Sequence, residues 1–128
     1  MYEVEESESW ILEEGEDLRE RTKSFALRII KMFTALPKEP VAQVLGKQIL
    51  RSGTSVGANY REAFRSRSRA EFVAKCGESL KEIEETHYWL ELLQESQTLP
   101  ASKLSSLFDE TNQLTAIFVT ILKTTKSR

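Results

Sequence analysis

Residues Leu50–Phe72 read LRSGTSVGANYREAFRSRSRAEF, and the fold turns on whether one helix runs through this stretch or breaks inside it. Glycine costs about 1 kcal/mol relative to alanine inside a helix, so Gly53 and Gly57 argue for a break. Against that, Val56, Ala63 and Phe64 keep one apolar stripe in phase across both glycines, and the spacing predicts a continuous helix. Gly53 and Gly57 are four apart and share a face, with Ser52, Ser55 and Ala58 also small. Such a face lets another helix approach closely, and the close packing offsets the glycine cost. Asn59 falls on or beside the stripe, where a half-buried amide fixes register through hydrogen bonds. The helix is expected to end before Ser68-Arg-Ala-Glu71, a capping-box pattern in which serine accepts an orphan N–H and glutamate reaches back.

Outward from this stretch the periodicity stays helical. On the N-terminal side, Leu18, Phe25, Ile29, Met32, Phe33 and Leu36 form a first stripe, closed by Pro37 and Pro40. Pro40 suits the first turn of the second helix, whose stripe is read as Val41, Val44, Leu45, Ile49, Val56 and Phe64. A third helix carries Phe72, Val73, Cys76, Leu80, Ile83, Leu90 and Leu93 up to Thr98-Leu-Pro100. The fourth carries Leu104, Leu107, Phe108, Leu114, Ile117, Phe118, Ile121 and Leu122. No segment alternates with period two for long enough to be a strand. Four helices with short connections imply an all-α, antiparallel up-down-up-down four-helix bundle spanning residues 18–126.

The chain of 128 residues suffices for one core and not for two. Its formal charge of −2 hides a split: residues 1–17 hold eight acids and no base, leaving eighteen bases against twelve acids in the remainder. Residues 1–17 are therefore expected to be a flexible acidic tail on a basic body, a balance that points to an anionic partner. No apolar run is long enough to span a bilayer, and MYEVEESESW lacks the basic start of a signal peptide. The single cysteine, Cys76, leaves no disulfide framework, and the default location is the cytoplasm.

No catalytic constellation is legible. His87 is the only histidine, and Glu84 and His87 give one Glu-x-x-His spacing where a di-metal bundle needs two, so neither a metal nor another cofactor is expected. Cys76 lies on the core stripe, where cysteine is an inert apolar side chain. Glu84 and Glu85 face different directions on a helix. Non-enzymatic function is the reading.

Three stretches, RSGTSVGANYREA at Arg51–Ala63, SRAEFVAK at Ser68–Lys75 and SLKEIEETHYWLELL at Ser79–Leu93, together resemble the four helix bundle proteins, the family first associated with intervening sequences in 23S ribosomal RNA genes. The resemblance covers residues 18–125. It implies a ring-like homo-oligomer, typically a pentamer, and provides no catalytic residues to carry over. A distant relative, the accessory protein of diversity-generating retroelements, implies nucleic-acid binding through a basic surface. The sequence departs from the family pattern in its long acidic N-terminus and in His87.

Within that frame the five arginines of the opening stretch are the candidate nucleic-acid contacts. Arg61, Arg65 and Arg69 would form one ridge if the helix persisted, with Arg51 further back and Arg67 at the turn. A guanidinium fork suits phosphate, and a ring would multiply the patch. The competing use is pairing with Glu78, Glu82, Glu84, Glu85 and Glu91 of the third helix. Arg51 and Arg61 are expected to be structural, and Arg65, Arg67 and Arg69 to be the free cations. Of Tyr88 and Trp89, one must leave the core stripe. Trp89 is assigned with Gly53, Gly57 and Asn59 to helix packing or the subunit interface. The functional expectation is a non-catalytic homo-oligomeric module that binds RNA or DNA. The rival is an oligomeric scaffold for a protein partner.

Overall fold

Four helices make up nearly all of the computed structural model, which describes residues 9–126, with side chains described for 18–125. They are α1 (Ser9–Thr34), α2 (Pro40–Phe64), α3 (Arg69–Glu95) and α4 (Ala101–Lys126), and no strand occurs among the described residues. The first helix begins at Ser9 rather than Leu18. The eight acids assigned to the tail have side chains outside the described residues.

Local chemistry sets the boundaries. Pro40 opens α2, and the Glu39 carboxylate accepts the N–H groups of Ala42 at 2.6 Å and Val41 at 3.2 Å. Those donors have no partner inside the helix, and a proline there sacrifices no hydrogen bond. The second helix runs unbroken through Gly53 and Gly57 and stops at Arg65, whose N–H bonds back to Arg61 and Glu62. Ser68 caps α3 by accepting the Glu71 N–H at 3.1 Å, and the Glu71 carboxylate accepts the N–H of Arg67. At the far end of α3, Gln97 takes φ 62° while Thr98 bonds to Leu93 and Gln97 to Gln94. This is a Schellman closure, with glutamine in the left-handed position that glycine usually fills.

The core is built from all four helices. Phe25 and Ile29 of α1, Ile49, Val56 and Tyr60 of α2, Ile83 and Leu90 of α3, and Leu114 and Phe118 of α4 are essentially inaccessible. Each large side chain so buried contributes about 1.5–3 kcal/mol. Tyr60 meets Phe118 edge-on at 5.6 Å. The buried threonines of the helices return their hydroxyls to the preceding turn, Thr22 to Leu18, Thr111 to Leu107 and Thr125 to Ile121, so no polar cost is left there.

The face of α2 differs from the stripe read in the sequence. Val41 and Val44 point outward, 50% and 62% exposed, whereas Ala42, Gly46, Ser52, Gly53 and Gly57 are buried. Beside Ile49, Val56 and Tyr60, the inward face of α2 carries a row of small residues, which a search for large apolar side chains passes over. Gly53 and Gly57 lie against α1. A β-carbon on Gly53 would sit 2.8 Å from Ile29 Cγ1, and one on Gly57 would sit 3.1 Å from Thr22 Oγ1. Gly46 is closed off in the same way by Leu36 and Phe33.

Candidate nucleic-acid interface

The five arginines divide according to what surrounds each. Arg51 reaches across to α3, with Nη2 2.9 Å from Glu85 and Nη1 3.5 Å from Glu82. The Glu85 hydrogen bond holds its guanidinium above the ordinary value. Burial pushes the Glu82 carboxyl above the usual carboxylate range and neighbouring Glu85 adds to this, while Arg51 and Lys81 oppose it. Arg51 is thus paired within the chain.

Arg61 and Arg69 exchange the roles expected of them. Because α2 ends at Phe64 and α3 starts at Arg69, the ridge of Arg61, Arg65 and Arg69 is never formed. Arg69 is half-buried, engaged by neighbouring groups, and its Nε is enclosed by protein. Arg61, by contrast, is exposed. Its sequence neighbour Glu62 pairs with Lys75 at 2.7 Å, and Glu78 lies 3.4 Å from the same ammonium. Among the described residues Arg61, Arg65 and Arg67 form no ion pair, and all three are exposed around the α2–α3 corner.

Beside this corner, Arg19 of α1 lays its guanidinium over the Phe64 ring at 4.2 Å. Lys23 and Arg61 then flank a shallow groove of about 340 Å³ lined also by Thr22, Ala26, Thr54, Gly57 and Ala58. Its small lining residues leave room for a sugar–phosphate backbone between two cations. Lys23 and Arg19 were not singled out in the sequence. They lie on a different helix, and only packing brings them to the corner.

Gly53 and Gly57 are used inside the chain, against α1, and Asn59 is half-buried beside them. Of the adjacent aromatics, Tyr88 is the exposed one, at 52%, while Trp89 packs on the core. The two rings meet at 5.1 Å, and the Trp89 indole N–H is buried without an acceptor. The outward aromatic is therefore Tyr88, since the helical phase that buries Thr86 and Leu90 turns Trp89 partly inward.

His87 contacts Glu91 and packs edge-on against Phe108 at 5.3 Å, rather than converging with Glu84. No group of three or more His, Cys, Asp or Glu residues able to hold a metal occurs among the described residues. Burial pushes the Cys76 thiol up to about 12, so it carries no thiolate near neutrality. No described helix is long and apolar enough to cross a membrane.

The family model of 23S rRNA-intervening sequence proteins matches residues 16–120. Among solved structures, the chain is similar to a protein of unknown function from the S23 ribosomal protein family of Bacteroides thetaiotaomicron. The two share 38% identity and superpose with a TM-score of 0.80, over 85% of this chain and 97% of that one. No curated protein matches the sequence.

Proposed function

The chain belongs to the 23S rRNA-intervening sequence protein family, and from that premise we propose that it is a non-catalytic binding module whose ligand is RNA or DNA. The observation that carries this reading is the trio Arg61, Arg65 and Arg67, exposed at one corner and in no ion pair among the described residues. Three guanidinium forks in one place suit a phosphate backbone, and they give affinity and position rather than base specificity.

The same proposal includes an antiparallel up-down-up-down arrangement and assembly into a ring of identical subunits. Contacts between helices support the first part, because they run in reverse order along successive elements: Arg51 with Glu85, Val56 with Ser79 and Glu62 with Lys75. Between α1 and α4, Arg21 meets Glu110 and Arg28 meets Ser106 in the same sense. Outward-facing Leu27, Ile30, Val44 and Tyr88 support the second, since apolar and aromatic side chains of this size are enriched at subunit interfaces.

The test is a titration with structured RNA across salt concentrations. Replacing Arg61, Arg65 and Arg67 together by alanine should weaken binding and lower the salt slope by roughly 0.7–0.9 per lost phosphate contact, with helicity unchanged. An unchanged slope would remove the corner as the binding site. Absence of any binding to RNA or DNA near physiological salt would leave the protein-scaffold reading, which Val41 and Val44 favour through their exposure.

A further inference from the structure

At the opposite end of the helix pair from the arginine corner, α1 and α4 enclose a groove of about 490 Å³. Its floor is apolar: Leu107 is buried, Met32 and Leu99 are half-buried, and Ala35 completes it. Its rim is cationic, with Arg28 and Lys31 on α1 and Lys103 on α4, and no acid lines it. The three cations form no ion pair among the described residues, and Arg28 holds only the Ser106 hydroxyl at 3.0 Å.

The charge around this groove is one-sided over a long span of chain. Residues 21–38 contain Arg21, Lys23, Arg28, Lys31 and Lys38 and no acid, and residues 96–108 contain Lys103 and no acid. Of the carboxylates that bound these spans, Glu39 is engaged on the first amides of α2, while Glu95 and Asp109 are exposed outside the groove lining; the next acid, Glu110, holds Arg21. Three like charges held within one groove repel one another, and an anion seated between them would reverse the sign of that interaction. Surface lysines on a plain helix face would not need an apolar floor of this size. Grooves of a few hundred Å³ with an apolar lining and a few convergent charges are the form that small-molecule sites take.

We infer that the α1–α4 groove binds a small amphiphilic phosphate ester, with its dianionic head between Arg28, Lys31 and Lys103 and its apolar body on Met32, Leu99 and Leu107. A dianion matches three cations better than a monoanionic carboxylate does. The Ser106 hydroxyl, already the partner of Arg28, is placed to donate to a phosphate oxygen. The site is independent of the nucleic-acid reading, because it shares no residue with the arginine corner.

Calorimetric titration of the full chain with monomeric octyl phosphate tests this, with inorganic phosphate and octanol as the separate halves of the ligand. Octyl phosphate should bind at least tenfold more tightly than either half, and more weakly as salt rises. Lys31→Glu with Lys103→Glu should weaken it at least tenfold, and the milder Lys31→Ala with Lys103→Ala should weaken it by less, both with an unchanged melting temperature. The Arg61, Arg65 and Arg67 alanine variant should bind octyl phosphate as the wild type does. Equal affinity for octyl phosphate and octanol, or for octyl phosphate and inorganic phosphate, would overturn the inference. So would indifference to the Lys31 and Lys103 changes, or binding confined to anionic lipid vesicles.

Discussion

The two long seams of α2 are held by opposite means. Toward α1 the contact is made by absence: Gly46, Gly53 and Gly57 present no side chain, and Leu36, Phe33, Ile29 and Thr22 fill the space. Toward α3 the contact is made by polar pairing. The Ser52 and Thr86 hydroxyls lie 2.8 Å apart, Ser79 donates to the Val56 carbonyl at 2.9 Å, and Arg51 and Lys75 cross to acids on the outside. A seam built on shape tolerates no added volume, whereas a seam built on paired polar groups tolerates no lost partner. One helix carries both requirements on adjacent faces, which explains its unusual sequence of serines and glycines.

The largest effect should come from filling the α1 seam. Gly53→Leu is expected to destabilise by about 2–3 kcal/mol through overpacking against Ile29, read as a drop in melting temperature. Combining it with Ile29→Ala should recover part of that loss. Wild-type stability for Gly53→Leu alone would mean the seam opens without cost, and the contrast between the two faces would collapse. Next in size is Thr86→Val in the α3 seam. It keeps the shape, removes the hydroxyl, and should cost about 1 kcal/mol in chemical denaturation, because Ser52 retains only the Ile49 carbonyl at 3.4 Å. The double change Ser52→Ala with Thr86→Val should cost less than the sum of the singles; strict additivity would show that the two hydroxyls do not act as a pair.

Smaller still is Arg51→Ala on the exposed margin of that seam, at roughly 0.5 kcal/mol and shrinking in high salt. The least effect belongs to Glu82, whose folded carboxyl titrates above its unfolded value. Its contribution is fully present below the unfolded value and is lost as pH rises through the folded one. Glu82→Gln should therefore raise the melting temperature slightly near neutrality, with the difference vanishing on acidification through the carboxylate range. A difference that grows on acidification would assign Glu82 to stabilisation by Arg51 instead of to burial.

The sequence reading succeeded where signals act over a few residues. Pro40, Ser68 and Glu71 mark helix ends by satisfying or removing particular N–H groups, so α2 and α3 begin as read. The continuity of α2 through Gly53 and Gly57 was legible because Val56 and Ala63 kept phase. The inward face of α2 was legible only in part: Ile49 and Val56 are buried and Leu45 and Phe64 pack on the core, but Val41 and Val44 face outward. Val41 and Val44 are more apolar than Gly46 and Ser52, yet the latter are buried, since the tight α1 and α3 contacts leave no room for larger groups. Thr98-Leu-Pro100 marked the end of α3 to within a few residues, but the left-handed closure at Gln97 carried no signal, because glutamine is not the residue expected there.

At the candidate site the division is sharper. That arginines are concentrated between Arg51 and Arg69 could be read directly, as could the pairing of Arg51 with the acids of α3. That Arg61 rather than Arg69 stays free could not, because it depends on Glu62 turning to Lys75 and on the chain bending after Phe64. Nor could the approach of Arg19 and Lys23, or the gathering of Arg28, Lys31 and Lys103 around an apolar floor. Sequence alone determined four helices and most of their ends, because caps, prolines and periodicity are properties of neighbours along the chain. Tertiary structure alone decided which cations remain unneutralised and that Gly46 rather than Val44 lies inside, because charge pairing and burial depend on neighbours through space.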